Sequence, residues 1–194
     1  MIPYTVERRA DTGVNNVTLG IWLFLASEVM LFGALFSAYA LLRTSSPDWP
    51  SGPAVLSTAL GAGNTVILLI TTTIVWRARS ASLATPASPG AVRGWLLTAT
   101  LVAAVFLAFK ATEYRGEIAR GLVPSVNTFI AMYFVLTGLH ALHVAGGMIA
   151  NLWAAAGASR LGSPITAGRV RAITLYWAFV DVVWLVILVL MYLT

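Results

Sequence analysis

Residues 17–42 read VTLGIWLFLASEVMLFGALFSAYALL and contain a single acidic or basic side chain, that of Glu28. A transmembrane helix needs roughly 20 predominantly apolar residues to cross about 30 Å of hydrocarbon. The run lacks the alternation of polar and apolar residues that marks a membrane β-strand. It follows a polar stretch and is too long for the apolar part of a signal peptide. This segment therefore predicts a membrane-spanning helix.

Four further apolar runs of similar length follow the first. They lie at about 54–76, 94–114, 126–156 and 172–192, with segments rich in Gly, Pro and Ser between them. No shift in composition and no internal repeat divides the chain. We therefore expect one all-α membrane domain over residues 1–194, built as a bundle of five transmembrane helices.

The composition narrows the possible chemistry. Hydrophobic residues make up 59% of the 194 residues and charged residues only 10%, against about a quarter in soluble domains. These values exclude a soluble globular domain and a disordered chain. The chain has no cysteine and two histidines, which excludes disulfides, a thiol nucleophile, iron–sulfur clusters and cysteine-rich zinc sites. We expect no catalytic residue and no metal site within it.

The basic residues predict the orientation of the chain in the membrane. Eight fall on one side of the predicted spans: Arg8, Arg9, Arg77, Arg79, Arg93, Arg160, Arg169 and Arg171. Four fall on the other side: Arg43, Lys110, Arg115 and Arg120. Because cytoplasmic loops carry an excess of Lys and Arg, the N-terminus is expected in the cytoplasm and the C-terminus outside. This asymmetry explains the net charge of +5 better than nucleic-acid binding does.

Glu28 is the first of several ionisable residues expected at membrane depth, where charge is costly and usually functional. It lies about eleven residues into the first span, which places it near the middle of the bilayer or in its cytoplasmic half. Two interpretations stay open. The carboxyl group exchanges protons or contacts a partner, or a neighbouring helix satisfies it.

His140 and His143 lie in the fourth span on one helix face, within about 80° of Gly147 and Asn151. Two histidines make a poor metal site. We expect them to form hydrogen bonds across helices or to a partner subunit.

In the fifth span, Asp181 shares a helix face with Trp177 and Trp184. An indole N–H can donate to a carboxylate, so we expect a hydrogen-bonded contact there with another helix or subunit.

Two further positions predict polar contacts near the other spans. Lys110 and Glu113 are three residues apart and can form an ion pair if the third helix continues that far. Asn64 can form a hydrogen bond between helices.

Five motifs together resemble a known family. The first span carries Gly-x-Trp-x-Phe-x-x-Ser-Glu-x-x-x-Phe over residues 20–32, and the second carries Asn64-Thr65. The last three carry KATEY at 110–114, TGLHALHV at 137–144 and YWAFVDVVW at 176–184. In this order, the motifs resemble subunit III of the haem–copper terminal oxidases, the cytochrome c oxidase and ubiquinol oxidase subunit 3 family, in its five-helix bacterial form.

The resemblance implies an accessory subunit without its own redox cofactor, in a respiratory complex that reduces oxygen to water and pumps protons. Haem and copper would lie in partner subunits. The chain would pack against subunit I, beside subunit II and a small subunit IV, among phospholipids of the bacterial cytoplasmic membrane. Glu28 matches the family's carbodiimide-reactive intramembrane carboxyl, which implies a role in proton uptake. Glu113, His140, His143, Asp181 and Trp184 also fall on family motif positions.

The sequence departs from the family pattern in two ways. It resembles the form that lacks the first two helices of longer relatives, and Ala178 stands where the motif usually has histidine. Two alternative functions stay open: an accessory subunit of a nitric oxide reductase, and a small transporter or channel.

Overall fold

The computed structural model describes residues 7–158 and 163–194, and every regular element in these ranges is a helix. The long helices are α1 (Asn16–Ser45), α3 (Thr58–Leu83), α4 (Pro89–Ala119), α5 (Thr128–Gly157) and α6 (Ser163–Leu188). A short helix, α2 (Gly52–Val55), precedes α3, and a π-helical turn (Val189–Leu193) follows α6. Five helices in the described ranges are long and apolar enough to cross a membrane. This confirms the predicted all-α, five-span architecture; the single domain over 1–194 stays a prediction.

Short polar side chains cap the start of four long helices. The side-chain oxygen of Asn15 accepts the backbone N–H of Thr18 at 2.9 Å, and that of Asn127 accepts the N–H of Ile130 at 2.8 Å. The side-chain oxygens of Ser57 and Ser88 accept backbone N–H groups in the same way at the starts of α3 and α4. Such caps satisfy backbone donors that have no partner within the helix, and so they fix where each helix begins.

Two helices start earlier than hydropathy predicts. Helix α4 begins at Pro89 rather than near residue 94, and α6 begins at Ser163 rather than near residue 172. The helical backbone extends beyond the apolar run and includes Arg93 and Arg169. A prediction based on hydropathy leaves such charged residues out of the span. Arg160, one of the residues used to predict orientation, lies outside the described residues.

Helices α3 to α6 form the compact part of the bundle. Helix α3 packs on α4 and α6, while α5 packs on α4 and α6. Glycines permit close approach, since a Cβ at Gly147 would lie 2.8 Å from the Trp177 ring of α6. Helix α1 is peripheral: it contacts α5 and α6 and buries only Leu25, Phe32 and Tyr39.

Candidate functional site

Polar side chains lie inside the bundle at three levels along α6 and the π-helical turn that follows it. We call the end of the bundle where α1 begins the amino-terminal side, and the end that carries α2 and the last turn the carboxy-terminal side. Tyr176, Trp184 and Tyr192 mark the three levels. They are eight residues apart, or about 12 Å along a helix axis.

At the first level, Glu28 of α1 pairs with His143 of α5. The Glu28 Oε2 atom lies 2.8 Å from His143 Nε2, and the exposed fractions of the two side chains are 14% and 13%. The hydroxyl of Tyr176 donates to the backbone carbonyl of His143 at 2.7 Å, and the Phe32 ring lies edge-on to the imidazole. Helices α1, α5 and α6 therefore hold this pair, which we call the Glu28–His143 pair.

The hydrogen bonds of His143 determine how many protons the pair holds. Its Nδ1 lies 2.8 Å from the carbonyl oxygen of Leu139, which can only accept, so Nδ1 carries a proton. A neutral imidazole protonated at Nδ1 has an unprotonated Nε2, which repels a carboxylate. The 2.8 Å contact with Glu28 therefore requires one more proton, carried by the carboxyl group or by the imidazole.

At the third level, Lys110 and Glu113 of α4 form the predicted ion pair, with 3.1 Å between Nζ and Oε2. The ammonium group also donates to the hydroxyl oxygens of Tyr133 and Tyr192, at 3.2 and 2.6 Å. Both tyrosine hydroxyls in turn donate to Glu113 Oε1, at 2.9 and 2.6 Å. We call these four residues the lysine cluster; each charge in it is paired and hydrogen-bonded, as buried charges require.

The surroundings of the lysine cluster are aromatic on one side and open on another. The Lys110 nitrogen lies 4.7–5.5 Å from the ring centroids of Tyr114, Tyr133, Trp184 and Tyr192. A cleft of about 650 Å³ opens beside Glu113 on the carboxy-terminal side. Glu117, which forms an ion pair with Arg120, also lines this cleft. Solvent at that end of the bundle therefore comes close to the cluster.

At the middle level, His140 is fully buried. Its ring packs against Trp184 and Phe106, with centroids 5.1 and 5.8 Å away. Neither ring nitrogen has a hydrogen-bond partner among residues 7–158 and 163–194. The two histidines predicted on one face thus have different surroundings, since only His143 reaches Glu28.

The predicted indole contact with Asp181 is wrong. The Trp177 N–H donates to the side-chain oxygen of Asn151 at 3.1 Å, and the Trp184 N–H donates to Thr65 Oγ1 at 2.9 Å. Both rings turn toward small polar partners on the helices that α6 packs against. Asp181 is 8% exposed, and its Oδ1 has no hydrogen bond within the described part of the chain.

The remaining sequence-predicted position, Asn64, is buried on α3. The roles of the Tyr176 and Tyr192 hydroxyls were not predicted. Tyr176 opens the motif at 176–184, but the partners of the two hydroxyls are 33 and 79 or more residues away along the chain, so the sequence does not show what they bind. Within the described ranges, no three His, Asp or Glu side chains come together in a group that could hold a metal ion.

Comparison with known proteins gives a consistent family. The family model for cytochrome c oxidase subunit III matches residues 7–194. The chain is 32% identical to cytochrome bo(3) ubiquinol oxidase subunit 3 of Pseudomonas putida, over 94% of this chain and 87% of the relative. It is 35% identical to cytochrome c oxidase subunit 3 of Synechocystis sp., over 90% and 74%. It is 31% identical to the haem–copper oxidase subunit I+III of Aeropyrum pernix, over 92% of this chain and 23% of that protein.

Proposed function

The chain belongs to the cytochrome c oxidase subunit III family, and from this premise we propose that it supports proton uptake by the catalytic subunit of a haem–copper oxidase through Glu28 and His143. It is an accessory subunit of such an oxidase and a multi-pass membrane protein. The similar relatives are named as oxidase subunits. Their names favour this function over a nitric oxide reductase subunit or a small transporter.

The partner in the complex is subunit I. The relative from Aeropyrum pernix is named subunit I+III, which supports direct association of the two parts. We further propose contacts with subunit II, a small subunit IV and membrane phospholipids. Haem and copper would lie in the partner subunits, since this family does not carry the redox centres.

The arginine distribution supports an orientation in the bacterial cytoplasmic membrane. Arg77, Arg79, Arg93, Arg169 and Arg171 lie on helix ends at the amino-terminal side of the bundle. An excess of basic residues marks the cytoplasmic side of a membrane protein. We therefore propose that the amino-terminal side faces the cytoplasm, the side from which a proton-pumping oxidase takes up protons.

The geometry of the Glu28–His143 pair carries the proton proposal. Glu28 lies twelve residues from the start of α1, or about 18 Å along the helix axis from the amino-terminal side. The pair holds one proton between two groups of different chemistry, and each group is partly exposed. The shared proton can lie on the carboxyl group or on the imidazole while the pair stays neutral overall, which lowers the cost of keeping ionisable groups in the bilayer. Beside subunit I, the pair would keep a proton available near the site of uptake.

The test is the substitution Glu28→Gln in the intact oxidase complex. Glutamine keeps the size and hydrogen-bonding capacity of the side chain but cannot exchange a proton. We expect unchanged subunit content, a slower proton uptake from the medium during oxygen reduction, and a shorter active lifetime. A pH-sensitive dye in weakly buffered solution measures the uptake.

Asp181→Asn is the matched control, because it removes the other acid of the α1, α5 and α6 helices at membrane depth. Asp181 has no histidine partner in the described structure, so its substitution should leave proton uptake unchanged. Wild-type uptake and lifetime in Glu28→Gln, in a complex of full subunit content, would contradict the proposal. Equal losses in both variants would also contradict it.

A further inference from the structure

The three levels of polar groups extend over about half of the apolar thickness of a membrane. Tyr133 of the lysine cluster and His143 of the Glu28–His143 pair both lie on α5, ten residues apart. Ten residues of helix span about 15 Å, against about 30 Å of hydrocarbon. His140 lies between them. Titratable side chains spaced in this way create a hazard, since a hydrogen-bonded connection would let protons pass through about half of the apolar layer.

Trp184 occupies the middle of this path. Its ring centroid lies 5.1 Å from that of His140 and 5.2 Å from that of Phe106. The Lys110 nitrogen lies 5.5 Å from the same indole. The ring is 1% exposed and therefore separates the lysine cluster from His140. The face of an indole ring has no hydrogen-bond donor or acceptor, so it cannot pass a proton on.

Hydrogen bonds fix the ring and draw nearby hydroxyls away from His140. The Trp184 N–H is held by Thr65, whose own hydroxyl donates to the Gly61 carbonyl at 2.9 Å. Thr137 carries the only hydroxyl between Tyr133 and His140 on α5. It donates to the Tyr133 carbonyl at 2.6 Å and pairs with the Tyr114 hydroxyl, toward the lysine cluster. His140 has no such contact with the described residues on either nitrogen.

We propose that Trp184, supported by Phe106, is a proton barrier that keeps the lysine cluster and the Glu28–His143 pair from exchanging protons through His140. The barrier insulates an oxidase subunit whose interior carries ionisable groups at two depths in the bundle. This proposal rests on the proposed function in one respect: the membrane around the subunit must sustain a proton gradient. Trp184 acts here by excluding water and hydrogen-bonding groups.

The experiment measures passive proton permeability without turnover. The intact oxidase complex is reconstituted into liposomes that contain a trapped pH dye, with valinomycin and potassium to clamp the potential. An external acid pulse is then applied. Trp184→Ala should raise the rate of internal acidification several-fold, because a void beside His140 can admit water. Trp184→Phe should stay as tight as wild type, because it keeps an aromatic ring and loses only the N–H.

Two controls separate a local leak from general loosening. Trp177 is as deeply buried on the same helix, but its N–H donates to Asn151 and its ring lies against Gly147, so Trp177→Ala should not leak. Adding His140→Leu to Trp184→Ala should restore wild-type tightness, because it removes the relay. Trp184→Leu is measured as a second variant without the ring. Leucine leaves a smaller cavity than alanine, so this variant should fold more readily than Trp184→Ala.

The outcomes decide the proposal. Wild-type permeability in both Trp184→Ala and Trp184→Leu, with the subunit retained in the complex, would overturn it. An equal leak in Trp177→Ala, or a leak that survives His140→Leu, would also overturn it. Proton uptake during turnover in Glu28→Gln tests the proposed function, whereas this experiment measures permeability without turnover, so failures of the two proposals are recognised separately.

Discussion

The ammonium nitrogen of Lys110 lies 2.6 Å from the hydroxyl oxygen of Tyr192, and this contact ties α4 to the last turn of the chain. The same hydroxyl donates to Glu113 at 2.6 Å, so the tyrosine bridges the two members of a buried ion pair. The Tyr192 hydroxyl thus faces the Lys110 ammonium group on one side and the Glu113 carboxylate on the other. The carboxy-terminal end of the bundle therefore depends on a fully paired lysine.

Lys110→Met should destabilise the subunit strongly. It leaves the Glu113 carboxylate buried without its cation, and breaking one partner of a buried ion pair costs about 3–5 kcal/mol. Thermal release of the subunit from the detergent-solubilised complex measures the effect. Lys110→Met combined with Glu113→Gln should recover most of the loss, because glutamine is neutral and still accepts from the tyrosines. A single variant as stable as wild type would contradict the pairing.

A second prediction concerns the glycines at the α5–α6 interface. Gly147→Ala places a methyl group 2.8 Å from the Trp177 ring, within a closely packed interface. Overpacking of this kind costs about 1–3 kcal/mol. Gly63→Ala is the matched control, since nothing lies within 4 Å of its added carbon. The control should be neutral or stabilising by up to about 1 kcal/mol, because alanine favours helix. Equal melting temperatures for both variants would contradict the close contact.

A third prediction tests the partner of Trp177. Trp177→Phe removes the N–H that Asn151 accepts, and leaving a buried polar group unpaired costs about 1–3 kcal/mol. Replacing both partners, with Asn151→Leu added, should cost less than the single change, because no buried oxygen then lacks a donor. Urea or thermal unfolding in detergent measures both variants. If the stability loss of the double variant equals the sum of the losses in Trp177→Phe and Asn151→Leu, the hydrogen bond does not contribute to stability.

Hydropathy predicted the five helices but not their ends. An apolar run reports the part of a helix that lies in lipid, whereas the backbone of α4 and α6 stays helical beyond Arg93 and Arg169. The caps that fix helix starts are single side chains such as Asn15 and Ser88, which are individually too common to locate in advance.

The candidate site was predictable only where it is local. Lys110 and Glu113 are three residues apart on one helix, so their ion pair follows from helix geometry once the helix is known to continue. Glu28 and His143 are 115 residues apart, and their contact depends on how α1 rests on α5. An indole donor to Asp181 was expected because the spacing shows that Trp177, Trp184 and Asp181 share a face, but spacing does not show where each N–H points. The functional roles of these residues stay predictions.

The most direct test of the account is a double-mutant cycle on proton uptake with Glu28→Gln, His143→Gln and the combined variant, in complexes of matched subunit content. If Glu28 and His143 share one proton, either single substitution abolishes the sharing of that proton. The account therefore predicts that both single variants and the double variant slow uptake by the same factor. Losses that multiply in the double variant, or wild-type uptake in either single variant, would contradict the account.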